Sequence, residues 1–273
     1  MYATNFEYAG EKLSDYGMMI CTIDKSSGVE IVSSGANITF NQVNPSNSNR
    51  FYISSSKYEE PLQTTFHICK NPCNVKNCDK MSISKDEISA LQRWLCRKNE
   101  YHVFKLDQED LKNIYWNATF TSQEITYGGE TIGLELTVHT DSPFSYMDEV
   151  SVEYNCSAGA SFSLYDNSDE ITDTNHRIHP NMEIVLLSDG CFKLENSMDT
   201  KVMKIENCSK DETITIDGKN QIISSSIESH IAKDFNYFFP QIINTYDERC
   251  NIFTPSLDCK IKIAYSPIKK IGL

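Results

Sequence analysis

Any chemistry in this chain has to come from a few small groups of side chains. Cys69, Cys73 and Cys78, with His67 just upstream, are soft ligands that one turn could gather around a zinc ion. Their gaps of three and four residues match no usual zinc knuckle, and no Cys-x-x-Cys pair accompanies them, so reduced thiols, buried or half-exposed, are the plainer reading. His176 and His179 have a spacing that would hold a metal on a helix, but Thr174-Asn-His-Arg-Ile-His-Pro180 reads as a loop carrying surface histidines. Asp211 and Glu212 could be the acid and base of a glycosidase, a reaction that needs two carboxyl groups across a sugar, and Tyr237, Phe238 and Phe239 could stack on that sugar. Carboxylates are common throughout an acidic chain, however, and clustered aromatics in a β domain more often fill a core. A Gly-x-Ser-x-Gly elbow, a phosphate-binding glycine loop, a dinucleotide fingerprint and a His-Glu-x-x-His helix are all missing. The expectation is a protein that is not an enzyme, with no catalytic residue, no cofactor and no metal.

The elements that would have to position such groups are almost all strands. The exception is a helix beginning at Ser84. Ser84 and Glu87 have capping-box spacing, Ile88, Leu91 and Leu95 recur at helical period with Trp94 beside them, and Arg93 and Arg97 sit near the negative end of the dipole. Such a helix needs a sheet to cover, and a lone amphipathic helix in a β-rich half points to an assembly component before an enzyme. Strands are expected at Tyr16–Ile23, Ala36–Phe40, Thr64–Ile68, Tyr101–Leu106 and Ile114–Phe120, with a turn at Ser26-Ser-Gly28 and a polar loop at Asn44–Asn49. Gly128-Gly129 reads as a hairpin turn, after which Ile132, Leu134, Leu136 and Val138 alternate with polar residues, as a strand with one buried face requires.

Asp141-Ser-Pro143 ends that strand and places a domain boundary. Beyond it, short strands at Val150–Tyr154, Ser161–Tyr165, Met182–Leu187, Cys191–Leu194, Val202–Ile205, Thr213–Ile216, Gln221–Ser224 and Cys259–Tyr265 have the spacing of a β-sandwich. With 273 residues the chain can hold two such domains, and no apolar run approaches the roughly 20 residues of a spanning helix, so a soluble protein without membrane insertion is expected. Met1–Tyr8 has neither a basic leader nor an apolar core, so folding in the cytosol is expected, and the Asn-x-Ser/Thr matches at Asn37, Asn117, Asn155 and Asn207 are read as chance. Ten cysteines make up only about 4% of the chain, below the roughly 8–10% of disulfide-stapled secreted domains, which also favours reduced thiols. A net charge of −13 argues against wrapping nucleic acid on the outside, yet would suit a conduit through which DNA slides without sticking.

Several segments, taken in order, resemble one family. Phe6-Glu-Tyr8-Ala-Gly10 followed by Tyr16-Gly17 is similar to its first strands, and Lys70-Asn-Pro-Cys73 leading to Glu87 and Arg93-Trp-Leu95 is similar to the start and body of its helix. The end of the chain completes the likeness: Thr213-Ile-Thr-Ile-Asp-Gly218 to Gln221-Ile-Ile-Ser-Ser225, then Phe235-Asn236, Phe239-Pro240, Asn244-Thr-Tyr246 and Ile263-Ala-Tyr-Ser-Pro267, with Lys269-Lys270 supplying a terminal basic pair. The family is the distal tail protein, Dit, of phages that infect Gram-positive bacteria.

The resemblance implies a mainly β fold: a tail-tube-like β-sandwich or split barrel with one flanking α-helix over residues 1–143, and a galectin-like β-sandwich over residues 144–273. It implies a homo-hexameric ring at the tail tip or baseplate of the virion. That ring would join the tail tube protein to tail-associated lysin, tail-fibre or receptor-binding proteins, with DNA only as transient cargo and assembly in the host cytoplasm. The Cys73/Cys78 segment has no counterpart role in the family. An alternative is a host-surface carbohydrate-binding module using the C-terminal sandwich, since fold alone does not fix function.

Overall fold

A computed structural model describes residues 3–23, 35–46, 48–74, 81–169, 177–227, 230–245 and 247–272. The chain divides into two compact units, Met1–Met147 with Lys269–Leu273, and Asp148–Ile268. Both are built from antiparallel strands. Among the described residues no helix is long and apolar enough to cross a membrane.

In the first unit the strands are β1 (Phe6–Tyr8), β2 (Glu11–Lys12), β3 (Met18–Cys21), β4 (Ile38–Val43), β5 (Tyr52–Tyr58), β6 (Gln63–Lys70), β7 (His102–Leu106), β8 (Ile114–Tyr127), β9 (Glu130–Thr140) and β10 (Ser145–Met147), with helix α1 at Lys85–Leu95. The main sheet runs β2-β1-β7-β8-β9-β6-β3, and β10 continues the pairing along β8. β2 and β3 are the two ends of that order, yet only the 3-10 turn Leu13–Tyr16 and Gly17 separate them in the chain. The sheet must therefore curl until its ends approach, and the Ile20 N–H donates across the seam to the Thr4 carbonyl at 2.9 Å. The result is a split barrel.

Every second residue points inward, because side chains alternate along a strand. Phe6, Tyr8, Phe66, Ile68, Phe104, Trp116, Phe120, Leu134, Leu136 and Val138 form the core. Gly128 and Gly129, both at positive φ, make the β8–β9 turn that only glycine adopts without strain.

Helix α1 covers this core with Ile88, Leu91, Trp94 and Leu95, each burial contributing roughly 1.5–3 kcal/mol. Its capping box forms as the spacing predicts: the Ser84 N–H donates to Glu87 Oε2 at 2.8 Å and the Glu87 N–H to Ser84 Oγ at 3.3 Å. Lys70 and Lys85 pair with Glu87 and Glu124 at 2.9 and 2.6 Å and tie the first turn to β6 and β8. Trp94 lies stacked between Phe6 and Tyr16 at centroid distances of 5.7 and 4.5 Å, and its indole N–H donates to the Tyr8 carbonyl at 3.0 Å. The residues that carry the family likeness in the opening segment and in the helix thus meet at one packing site.

The second unit contains β11 (Val150–Cys156), β12 (Phe162–Tyr165), β13 (Asn181–Leu186), β14 (Gly190–Asn196), β15 (Val202–Cys208), β16 (Thr213–Asp217), β17 (Ile222–Ser225), β18 (Cys250–Pro255) and β19 (Cys259–Tyr265), with a short helix α2 at Ile231–Asp234. Sheets β11-β19-β13-β16-β17 and β12-β18-β14-β15 face each other across a core of Met182, Ile184, Ile214, Ile216, Ile261 and Ile263 on one side and Phe192, Leu194, Met203, Ile205 and Phe253 on the other. The irregular run before β18 is held by buried amides. Asn251 exchanges two 2.9 Å bonds with the Ile243 backbone, and Asn244 donates to Asp166 Oδ2 at 3.0 Å and to the Ser168 carbonyl at 2.9 Å.

The expected strands appear, with revised bounds where a special backbone intervenes. Tyr16–Ile23 is not one strand: Tyr16 ends a 3-10 turn, Gly17 takes a φ of 70° to cap it, and the strand starts only at Met18. β5 and β18 were not expected, and α2 adds a helical turn in the half read as all β. The expected turn at Ser26-Ser-Gly28 lies outside the described residues.

Candidate assembly surface

Among the described residues, strands β4 and β5 pair only with each other. From Asn37 to Lys57 every described residue except Ser48 is exposed, including Ile38, Phe40, Val43, Phe51, Tyr52 and Ile53 at 43–66% of their surface. Register decides where these side chains go. Ile38 stands opposite Tyr58 and Phe40 opposite Ser56, but a bulge between Asn41 and Gln42 leaves Ser54 unpaired and sets Gln42 opposite Ile53. Since opposite residues share a face, Ile38, Phe40, Ile53 and Tyr58 line one side, interspersed with Gln42 and Ser56. Thr39, Asn41, Ser55 and Lys57 occupy the other near the root, with Val43 and Tyr52 toward the tip. Without the extra residue Ile53 would fall on the polar side, because a slip of one residue reverses every side chain.

Two short hydrogen bonds hold the bulge: Ser54 Oγ donates to the Asn41 carbonyl at 3.0 Å, and Asn41 Nδ2 donates to Ser55 Oγ at 2.9 Å. The root is anchored where Tyr58 meets the buried Phe144 edge to face at 4.8 Å. A two-stranded ribbon is marginal in water, and an exposed apolar ribbon with open edges invites pairing. The sequence signals of this β4–β5 arm were Ile38-x-Phe40 and Tyr52-Ile53 flanking the polar Asn44–Asn49 loop, and the run Ser54-Ser-Ser56 hid the second strand.

The residues singled out for chemistry are not gathered into one site. Cys69 projects from the outward face of β6, Cys73 is exposed on the 3-10 turn Pro72–Asn74, and Cys78 lies outside the described residues. His67 instead meets Glu135 at 3.3 Å. Among the described residues no group of histidine, cysteine and carboxylate side chains is arranged to hold a metal. His176 lies outside the described residues, and His179 is half-buried, which lowers its pKa and favours the neutral ring.

Asp211 and Glu212 do not form a catalytic pair in this fold. Asp211 is a turn residue with a φ of 65°. Glu212 is 1% exposed and accepts from the Ser209 N–H at 2.9 Å, from Ser225 Oγ and from His230 Nε2 at 2.6 Å, while His230 Nδ1 faces Asp234 at 3.1 Å. Burial opposes ionisation of Glu212, but these hydrogen bonds outweigh it and hold its pKa below the ordinary value. The Glu212 hydrogen bond raises that of His230, with Asp234 adding to it. The network pins α2 to β16 and β17. Of the three clustered aromatics, Phe238 and Phe239 pack against the core and only Tyr237 is exposed, its hydroxyl donating to the Ala232 carbonyl at 2.7 Å.

Comparison with known proteins places this architecture. Residues 1–142 match the family model described as "Phage tail protein N-terminal domain", and residues 144–265 the one described as "Phage tail C-terminal domain". No curated protein matches the sequence. Among solved structures, the chain superposes on the Dit protein of phage SPP1, described as a paradigm of the hub adsorption apparatus in phages infecting Gram-positive bacteria. The TM-score is 0.66 at 12% identity, over 97% of this chain and 99% of that one. With the family shown by sequence over both halves and the fold shown by superposition, the chain belongs to the phage tail proteins and has a fold similar to that of Dit.

Proposed function

We propose that the protein is the hexameric hub of a phage tail tip. Six copies close a ring through the first domain, over residues 1–143, with the apolar face of the β4–β5 arm seated on the next copy. The second domain, over residues 144–273, is a galectin-like platform for receptor-binding or tail-fibre proteins, and the ring joins the tail tube above to the baseplate below. The observation that carries this reading is the arm: Ile38, Phe40 and Ile53 stand exposed on one face of a ribbon whose strands pair, among the described residues, only with each other. A head-to-tail contact repeated by rotation buries that face on every copy and closes without a new surface type. The net charge of −13 fits a channel that DNA traverses without adhering.

No catalysis is assigned to the protein, and its place is the virion, after assembly in the host cytoplasm. Native mass spectrometry of the purified chain together with electron-microscopy class averages tests the reading. The expected result is a sixfold ring. A solitary chain at the highest attainable concentration, with no association with tube or fibre proteins, overturns it.

A further inference from the structure

Cysteines far apart in the sequence meet across strands in two places. In the second unit Cys156 stands opposite Cys259 in the β11–β19 ladder, both are buried, and desolvation pushes the Cys259 thiol up to about 12. In the first unit Cys21 stands opposite His67 and Met19 opposite Cys69, so Cys21 and Cys69 are diagonal neighbours on the outward face of β3 and β6. Both are half-exposed. Interaction between the two thiols holds Cys69 below the ordinary cysteine value and pushes Cys21 up. One pair is thus buried and protonated, and the other is accessible with a built-in nucleophile.

We infer that Cys21 and Cys69 are a redox site, a dithiol that closes reversibly to a disulfide bridging β3 and β6, while Cys156 and Cys259 stay reduced in the folded protein. The oxidant is a low-molecular-weight disulfide. The Cys69 thiolate attacks one of its sulfurs, the small S–S bond breaks, and one thiolate leaves. Cys21 then gives up its proton to that thiolate, attacks the Cys69 sulfur of the mixed disulfide and releases the second small thiolate, which takes back from water the proton that Cys69 had lost to it. Two electrons pass from the protein dithiol to the small disulfide, which ends as two thiols.

Geometry makes the bond reversible. Diagonal Cα atoms on a sheet are about 7–8 Å apart, beyond the roughly 4.4–6.8 Å span of a relaxed disulfide, so the bridge closes only as β3 and β6 shift toward each other, and strained exposed bridges are the reducible ones. The bridge would close a loop carrying β4 and β5 and would cross-link β3 and β6, which already share a ladder.

The test treats the native full-length chain with oxidised glutathione near neutral pH, quenches with acid and maps the peptides. The expected product has lost two hydrogens, carries a Cys21–Cys69 link, and reverts with dithiothreitol. Cys21→Ala should stop at glutathione on Cys69. At pH 7 its Cys69 should also react about fivefold more slowly with iodoacetamide, the net of fewer thiolates and a stronger nucleophile. A glutathione adduct that persists on Cys69 of the unmutated chain, a Cys156–Cys259 or Cys69–Cys73 bond in its place, or a Cys69 alkylation rate unchanged in Cys21→Ala each overturns the inference. The peptide map of the unmutated chain decides even where a variant fails to fold.

Discussion

Replacing Phe40 and Ile53 together with threonine separates assembly from folding. The two residues are 52% and 60% exposed in the single chain, so about half of each side chain remains to be buried by a neighbour. Full burial of such a side chain contributes roughly 1.5–3 kcal/mol, which leaves about 1 kcal/mol apiece, or about 2 kcal/mol per contact. A copy leaving a closed ring breaks two contacts, about 4 kcal/mol, and each 1.4 kcal/mol is tenfold in the equilibrium. The concentration at which rings come apart should therefore rise by roughly three orders of magnitude. Threonine, like phenylalanine and isoleucine, is favoured in strands, and both positions are exposed in the single chain, so the unfolding free energy should move by less than about 0.5 kcal/mol. Mass photometry over a dilution series reads the first quantity and urea denaturation the second. Rings that dissociate at the original concentration, or a clear loss of stability in the single chain, would refute the reasoning, because either result places these side chains somewhere other than a surface between copies.

Three further outcomes follow from the fold. Ser84→Ala removes the acceptor for the Glu87 N–H and should cost about 1 kcal/mol in urea denaturation, with α1 amides exchanging sooner. Gly133→Ala would set a Cβ 2.8 Å from the Ile68 carbonyl oxygen, which is backbone and cannot swing aside, so a loss of about 1–3 kcal/mol and a lower thermal midpoint are expected. Glu212→Gln addresses pH. The raised pKa of His230 gives stability that is complete below its ordinary 6.5 and is lost as pH climbs through the folded value, while the lowered pKa of Glu212 gives stability that holds above 4.5 and is lost on acidification. The unmutated protein should therefore lose stability in urea denaturation as pH rises above 6.5, and the glutamine variant should lose less over the same rise.

Features that depend on neighbours in the chain were readable from the sequence. The capping box at Ser84 and Glu87, the helical period through Leu95, and the alternation through Val138 each describe a local geometry that the side chains impose by themselves. Features that depend on partners far along the chain were not. Closure of the barrel rests on β3 pairing with β6, whose positions are nearly fifty residues apart, and Cys21 therefore gave no sign that Cys69 was its neighbour. β5 was missed because Ser54-Ser-Ser56 carries no apolar alternation, and its strand character comes from the bulge and from Asn41. Glu212 looked like a candidate acid because a sequence displays the carboxyl group and conceals the serine, histidine and backbone amide that occupy it.

The seam of the first unit has a mechanical meaning. Everywhere else around the barrel adjacent strands share a ladder, whereas at this line the described backbone contact is the lone bond from Ile20 to Thr4. Stress applied to the wall concentrates at its weakest stitch, so opening should begin there, with β3 peeling outward while β7, β8 and β9 remain zipped. Amide exchange would record that order, with Ile20 losing its proton long before Trp116. The same stitch gives the first unit a built-in place to flex when its curvature must adjust.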